Sequence, residues 1–185
     1  MAGLEDLSLH ILDIVENAIS AKARRIDILV MEEPKEDRLI IEIKDDGIGM
    51  DEEVSRKAID PFFTTRTSRK VGLGLSLMAQ AAQEAGGKLQ IKSKLGEGTK
   101  VTVTFQYHHI DRKPLGSMVE TMTTLLLGNS ELDISYTHQK GGETYVFTSQ
   151  ALKDRFKDRS PTDPEVIQWL RKHLKEGLAE IGVQG

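Results

Sequence analysis

The stretch RLIIEIKDDGIGM, Arg38 to Met50, places the tightest constraint on what this chain folds into. Leu39, Ile41 and Ile43 alternate with Arg38, Glu42 and Lys44, the period of two that marks a half-buried strand. Two acids and two glycines end that strand, so carboxylates stand beside a backbone almost bare of side chains. Glycine in such a place lets a second group approach the main chain, or lets the chain take positive φ. A tight acidic turn and a ligand-holding loop both satisfy the hexapeptide DDGIGM, and the remaining residues have to decide between them.

Upstream, residues 4–21 form an amphipathic helix at 100° per residue, with Leu7, Ile11, Ile14, Val15, Ala18 and Ile19 on one arc. His10, Asp13, Glu16, Asn17 and Ser20 fall on the opposite, polar arc. RIDILVM precedes the opening strand across the turn-rich EEPKED. A short helix is expected from near Asp51, and GLGLSLMAQAAQEAGG reads as a helix bounded by glycines. KLQIKS and TKVTVTFQY make a hairpin across KLGEG. The order α-β-β-α-α-β-β over residues 1–107 predicts an α/β sandwich, a mixed sheet covered by helices on one face.

Residues 108–185 are expected as a small C-terminal α-β-β-α module. PLGSMVETMTTLLLG carries Leu115, Met118, Val119, Met122 and Leu126 on one side, and DISYTHQKGGETYVFT turns at Gly141-Gly142. The last helix starts with Asp163 as N-cap and Pro164 at N1, and its Ile167, Leu170, Leu174, Leu178 and Ile181 stripe must bury against something. His138 and His173 read as a hairpin position and a surface helix position. No motif in this part carries readable chemistry, so a docking or dimerisation role is the expectation.

Composition narrows the class. The formal net charge is −4, with 25 Lys and Arg against 29 acids, which argues against bulk nucleic-acid binding. The absence of cysteine excludes disulfides and thiolate metal sites. MAGLEDLSLH has no basic n-region or apolar h-region, and no apolar run approaches the roughly 20 residues of a membrane span. A soluble cytoplasmic protein is expected.

Four elements then line up as one site. Asp13 and Asn17, i and i+4 on the first helix, can offer a carboxylate and a carboxamide to water and to Mg²⁺, which prefers oxygen ligands and shares them with substrate phosphates. Asp45, if buried at the strand end, is an acceptor in need of a donor, which the exocyclic amine of a purine supplies, with Gly47 and Gly49 beside it. Gly72-Leu73-Gly74-Leu75 opens a helix, where free N–H groups and the helix dipole favour an anion. GEGT brings the Thr99 hydroxyl into the last strand. Each element alone has an ordinary structural explanation, and neither a Walker A loop nor a full Rossmann fingerprint is present.

DIVENAISAKARRIDILV, DDGIGM, PFFTTR, GLGLSL and GEGTKVTVTF resemble, in order, the N, G1, F and G2 boxes and final Gly-Thr of the GHKL superfamily, over about residues 7–107. That superfamily joins gyrase, the heat-shock chaperone ATPases, histidine kinases and MutL on the Bergerat ATP-binding fold. The resemblance implies ATP or ADP with Mg²⁺ as ligands. It implies Asp45 on the adenine amine with Thr99 in support, Asn17 on the metal, and Gly72 and Gly74 on phosphates. Gly47, Gly49, Met50, Thr65, Arg66, Leu73 and Leu75 complete the implied nucleotide contacts, and Asp13 takes the place of the glutamate that activates water.

The N-box resembles MutL, while PFFTTR and GLGLSL resemble sensor histidine kinases. Asp13 is one methylene shorter than the expected glutamate, and Ser20 stands where the kinases usually carry a basic residue. The lid, Arg66 to Val71, is short, and Arg66, Arg69 and Lys70 in it either neutralise phosphates or form a solvated basic loop. With 16 residues before Asn17, no histidine kinase dimerisation region is expected. HIDRKPL, His109 to Leu115, keeps a phosphoacceptor spacing but on the wrong side of the domain, where a strand-to-helix linker is the expectation. The expected function is a slow Mg²⁺-dependent ATPase switch acting on a partner protein, or on a second copy, through residues 108–185. The alternatives are a kinase acting in trans and a non-hydrolysing adenine nucleotide sensor.

Overall fold

Six strands form one mixed sheet in the order β3-β4-β2-β1-β5-β6. The structure is a computed structural model and describes residues 6–58, 73–157 and 159–184. In chain order the elements are α1 (Leu7–Ser20), β1 (Arg25–Glu33), β2 (Arg38–Asp45), α2 (Glu52–Lys57), α3 (Leu73–Glu84), β3 (Lys88–Lys94) and β4 (Gly98–Gln106). They continue with α4 (Met118–Gly128), β5 (Asp133–Lys140), β6 (Glu143–Thr148), α5 (Ser149–Arg155) and α6 (Pro164–Glu180). The α/β fold with helices over one face of a mixed sheet is as expected.

Parity sets the layers. Ile26, Ile28 and Val30 of β1, Leu39, Ile41 and Ile43 of β2, and Val101, Val103 and Phe105 of β4 are buried on the helix side. They meet Leu7, Ile11, Ile14, Val15 and Ala18 of α1, and Met78, Ala81 and Ala82 of α3, in one core. The strand residues of opposite parity, such as Leu29, Ile40 and Thr102, are only half-buried.

β5 pairs with β1 in parallel, Arg25 opposite Asp133 through Glu32 opposite Lys140, while every other pairing is antiparallel. The strands before and after residue 108 therefore share one sheet. Met118, Val119, Met122, Leu126, Tyr136, Phe147, Leu170, Leu174 and Leu178 are buried in the chain's own core. A short helix the sequence reading did not anticipate, α5, follows β6 directly.

Several local readings hold and several shift. Asp163 Oδ1 accepts from Glu165 N–H at 2.9 Å, with Pro164 in the first turn of α6. Gly141 and Gly142 take φ +58° and +94° at the hairpin turn. The helix expected from Pro114 starts instead at Met118, capped by Ser117, because the Pro114 and Leu115 carbonyls accept Leu7 and Ser8 N–H at 3.0 and 2.8 Å and fix the linker to α1. That attachment, with α4 packed on α1, encloses the start of α1, so His10, expected on the polar arc, is 1% exposed. His138, expected as a hairpin position, lies on β5 of the β5–β6 hairpin and is fully buried. β1 also runs two residues past the expected end, to Glu33, because Glu32 and Glu33 are held by Lys140 of β5 and Arg38 of β2 in register.

Candidate functional site

The end of the sheet at Asp45 builds a cavity of about 300 Å³ between α1, the β2–α2 loop, the start of α3 and the β3–β4 turn. Ile14, Ala18, Ala21, Val54, Leu75 and Val101 supply apolar walls, and Asn17, Asp45 and Thr99 supply polar groups. Ile48 and Leu95, apolar yet 51% and 62% exposed, stand at this cavity. A mostly apolar cavity with a few fixed polar groups suits a planar heterocycle.

Asp45 is placed by register. It is the last residue of β2, opposite both Ile26 of β1 and Thr99 of β4, and its parity turns it to the helix side, where it is 9% exposed. Its Oδ1 accepts from Gly47 N–H at 2.8 Å. Burial raises the carboxyl above its ordinary value, while the Gly47 and Thr99 backbone N–H groups pull the other way. Asp46 does different work: its Oδ1 accepts from Arg24 and Arg25 N–H at 2.7 and 2.9 Å, tying the loop to the start of β1. Those backbone donors hold the Asp46 carboxyl below its usual range.

The glycines answer the question posed by DDGIGM in part through the chain's own backbone. A Cβ on Gly47 would stand 2.8 Å from the Ala21 carbonyl, and one on Gly98 would stand 2.0 Å from the Asp45 carbonyl. Ile48 accepts from Gly96 N–H at 2.8 Å, so the β2–α2 loop and the β3–β4 turn are joined main chain to main chain. Met50 and Gly49 line the cavity beside them.

Ser93 is the residue the sequence reading missed. Its hydroxyl accepts from Met50 N–H at 2.8 Å, donates to the Gly98 carbonyl at 3.1 Å, and shares a 2.7 Å hydrogen bond with Thr99 Oγ1. It thereby fixes Thr99 and the loop at one point. The alternation in KLQIKSK, which puts Ser93 on the side of Leu89 and Ile91, was the available signal.

Asp13 and Asn17 lie one turn apart on α1, and Asn17 lines the cavity while Asp13 does not. Asp13 is exposed and abuts the start of α3: a Cβ on Gly74 would come 2.5 Å from the Asp13 Cβ. Leu75 lines the cavity from the next residue. Leu73 is the first residue of α3. Thr65, Arg66 and Gly72, with the rest of the short lid, lie outside the described residues. Of the site residues read from the sequence, the structure thus brings Asn17, Asp45, Gly49, Met50, Leu75 and Thr99 to one cavity, with Gly47 bonded to Asp45 beside it.

Among the described residues no group of three or more His, Asp or Glu side chains converges as a metal cage. His109 sits in the turn between β4 and α4, where its Nδ1 accepts from Asp111 N–H at 3.1 Å, and so belongs to a linker. No helix among the described residues is long and apolar enough to cross a membrane.

Residues 4–109 match the family of histidine kinase-, DNA gyrase B- and HSP90-like ATPases. Sporulation kinase E of Bacillus subtilis is 33% identical over 94 residues, which is 50% of this chain and 13% of that protein. The sensor histidine kinase YxdK of the same species is 31% identical over 104 residues, 54% of this chain and 32% of that protein. This chain thus corresponds to a minor part of either relative's length. Among solved structures, the ADP complex of the Aquifex aeolicus MutL ATPase domain has a TM-score of 0.52 at 19% identity, covering 89% of this chain and 69% of that one. The N-terminal domain of a DNA repair protein gives 0.51 at 18%, covering 76% and 51%. These two likenesses concern the fold.

Proposed function

Because this chain belongs to the family of histidine kinase-, DNA gyrase B- and HSP90-like ATPases, we infer that it binds ATP or ADP in the α1–β2–β4 cavity and works as a slow, Mg²⁺-dependent ATPase switch on a partner protein. The observation that carries the reading is Asp45, a buried carboxyl in the wall of a mostly apolar cavity. That carboxyl already accepts from Gly47 N–H through Oδ1 and has capacity for a further donor, and the adenine amine is one. Thr99, anchored by Ser93, stands across the β2–β4 register to support it. The Gly72–Leu75 segment and Thr65 and Arg66 would then meet the phosphates.

The donor set fits Mg²⁺. Asn17 offers one hard oxygen at the cavity, with the exposed Asp13 carboxylate one turn away, and among the described residues no all-protein cage competes. Mg²⁺ characteristically takes one or two protein oxygens and completes its shell with water and substrate phosphates, whose charge it neutralises. Asp13 would orient and deprotonate the attacking water.

Guanine presents an oxygen where adenine has its amine, so Asp45 would face an acceptor. Leaving that group unpaired costs roughly 1–3 kcal/mol, about five- to more than a hundredfold in affinity. ATP is expected to raise the melting temperature clearly more than GTP, and Asp45→Asn should remove the difference while leaving the ligand-free fold as stable as before, because a neutral amide is cheaper to bury. Equal shifts with ATP and GTP in the wild-type chain would overturn the assignment. Asn17→Ala should weaken Mg-nucleotide binding more than metal-free nucleotide binding in calorimetric titrations; equal losses would remove Asn17 from the metal.

Phosphotransfer to a partner is the second reading, favoured by the kinases among the relatives. Incubation with γ-labelled ATP, alone and with cell extract, separates the possibilities. Free phosphate that disappears in Asp13→Asn supports the switch, labelled protein supports the kinase, and binding with neither supports a nucleotide sensor.

A further inference from the structure

The sheet face turned away from the helices carries a row of lysines whose repulsion works against the fold. Lys44 of β2 stands opposite Lys100 of β4, and Lys100 stands opposite Lys92 of β3. Three like charges thus occupy directly opposed positions on three neighbouring strands, an arrangement that destabilises a sheet. Lys88 and Lys94 share the parity of Lys92 on β3, and all three are exposed. Few acids answer them. Glu42 holds Lys100 at 2.9 Å, Glu97 pairs with Lys94, and Asp27, opposite Lys44, is taken by Arg25 at 3.2 Å. Those six cations meet three acids, a local net of +3 on a chain whose total is −4.

The lysines also border a concavity. Lys44, Lys92, Lys94 and Lys100 line a shallow groove of about 250 Å³, together with Ser93, Gly98, Thr99 and two acids, Asp45, whose side chain turns to the helix side, and Glu97, which Lys94 pairs. Lysine on an edge strand is a common guard against edge-to-edge pairing, which accounts for the three on β3. It does not account for Lys44 and Lys100, which lie on interior strands. Among the described residues no strand pairs with the outer edge of β3, so that edge offers main-chain donors and acceptors beside the charged row.

We propose that the β3–β4–β2 face docks an acidic, extended segment of a partner protein, added along β3 with its carboxylates over the Lys92–Lys100–Lys44 row. Backbone hydrogen bonds supply affinity in this mode and the alternate side chains supply specificity. A protein segment fits better than nucleic acid because the molecule as a whole is acidic and repels a long polyanion. Nucleotide binding is not required for this contact.

The test uses the full chain and a fluorescein-labelled eight-residue peptide of alternating Glu and Thr, read by anisotropy. The peptide should bind, weaken steeply with added salt, and lose roughly tenfold in the triple variant Lys44→Gln, Lys92→Gln, Lys100→Gln, since each exposed ion pair contributes about two- to fivefold. The Gln-Thr version of the peptide should bind no better than to the triple variant. That variant should melt no lower than the wild-type chain, because its loss removes repulsion. Equal binding of the Glu and Gln peptides, or an unaltered triple variant, would overturn the proposal. So would tighter binding of a single-stranded oligonucleotide or of phosphatidylserine vesicles than of the peptide. A wild-type chain that ignores the peptide while the variant self-associates would assign the lysines to edge protection alone.

Discussion

His138→Ala is expected to destabilise the fold by about 3–5 kcal/mol, the scale of taking away a buried carboxylate's hydrogen-bonded partner, measured as the shift in a urea unfolding midpoint at constant slope. His138 is fully buried on β5, with Nε2 2.8 Å from Glu32 Oε1 and Nδ1 2.6 Å from the Tyr136 hydroxyl. Tyr107 donates to Glu32 Oε2 at 2.9 Å, and Lys140 stands 3.6 Å from the same oxygen. Truncation at His138 would leave a carboxylate and a phenol in the core without their shared partner. The double variant Glu32→Met, His138→Leu should recover much of the loss, since apolar replacement of both partners removes the unpaired charge. Additive losses in the double variant would show that the two side chains do not act as a pair.

The same network gives a pH signature. Burial raises the Glu32 carboxyl, but hydrogen bonds from His138 and Tyr107 and the charge of Lys140 outweigh it and leave the group below its ordinary value of 4.5. A carboxyl depressed in the folded state contributes stability above its unfolded value and loses that contribution as the pH falls through the folded one. The stability gap between the wild-type chain and Glu32→Gln should therefore be full at neutral pH and close as the pH is lowered below 4.5. A gap that stays constant down to about pH 3 would mean that the charge of Glu32 contributes nothing.

These residues also show where the sequence stopped being readable. Parity alone could place them: Glu32 follows Ile26, Ile28 and Val30 on one face of β1, and His138 follows Ile134 and Tyr136 on one face of β5. What parity cannot supply is the parallel pairing of β5 with β1, which joins positions more than a hundred residues apart through no local turn. Without that pairing, Glu32 reads as part of a turn and His138 only as a hairpin position. The cavity end of the sheet was legible because its signals are local. The end of β2, the turn at Gly96 and the glycine-flanked start of α3 are each written in a few consecutive residues. Their convergence on one cavity rests on the antiparallel β1–β2 and β3–β4 pairings, which short connections favour, and on the longer-range β2–β4 pairing that joins the two hairpins. Ser93 escaped because alternation gives only its face of β3, while its partners Met50, Gly98 and Thr99 come from the loop and turn that the fold brings to it.

Gly49→Ala is expected to cost about 2–5 kcal/mol, a large part of what a domain of this size has, and to lower the melting temperature accordingly. Gly49 takes φ +68°, and a Cβ there would stand 2.0 Å from the Lys94 carbonyl and 2.7 Å from its carbon. Both neighbours are main chain of β3, held in place by the Ser93 hydroxyl and by the Gly96 N–H bond to Ile48. No side chain can swing aside, so the loop or the strand end must move. Gly96→Ala is the matched control. Gly96 has φ +79° but nothing within 4 Å of its Cβ position, so only the left-handed backbone is penalised, at about 1–2 kcal/mol. The difference between the two variants isolates the close approach of the β2–α2 loop to the β3–β4 turn. Equal losses would mean that the two loops are not held against each other in solution. Because Gly49, Met50, Leu95 and Thr99 all line the cavity from these two loops, Gly49→Ala should also weaken whatever binds there, and Gly96→Ala should not.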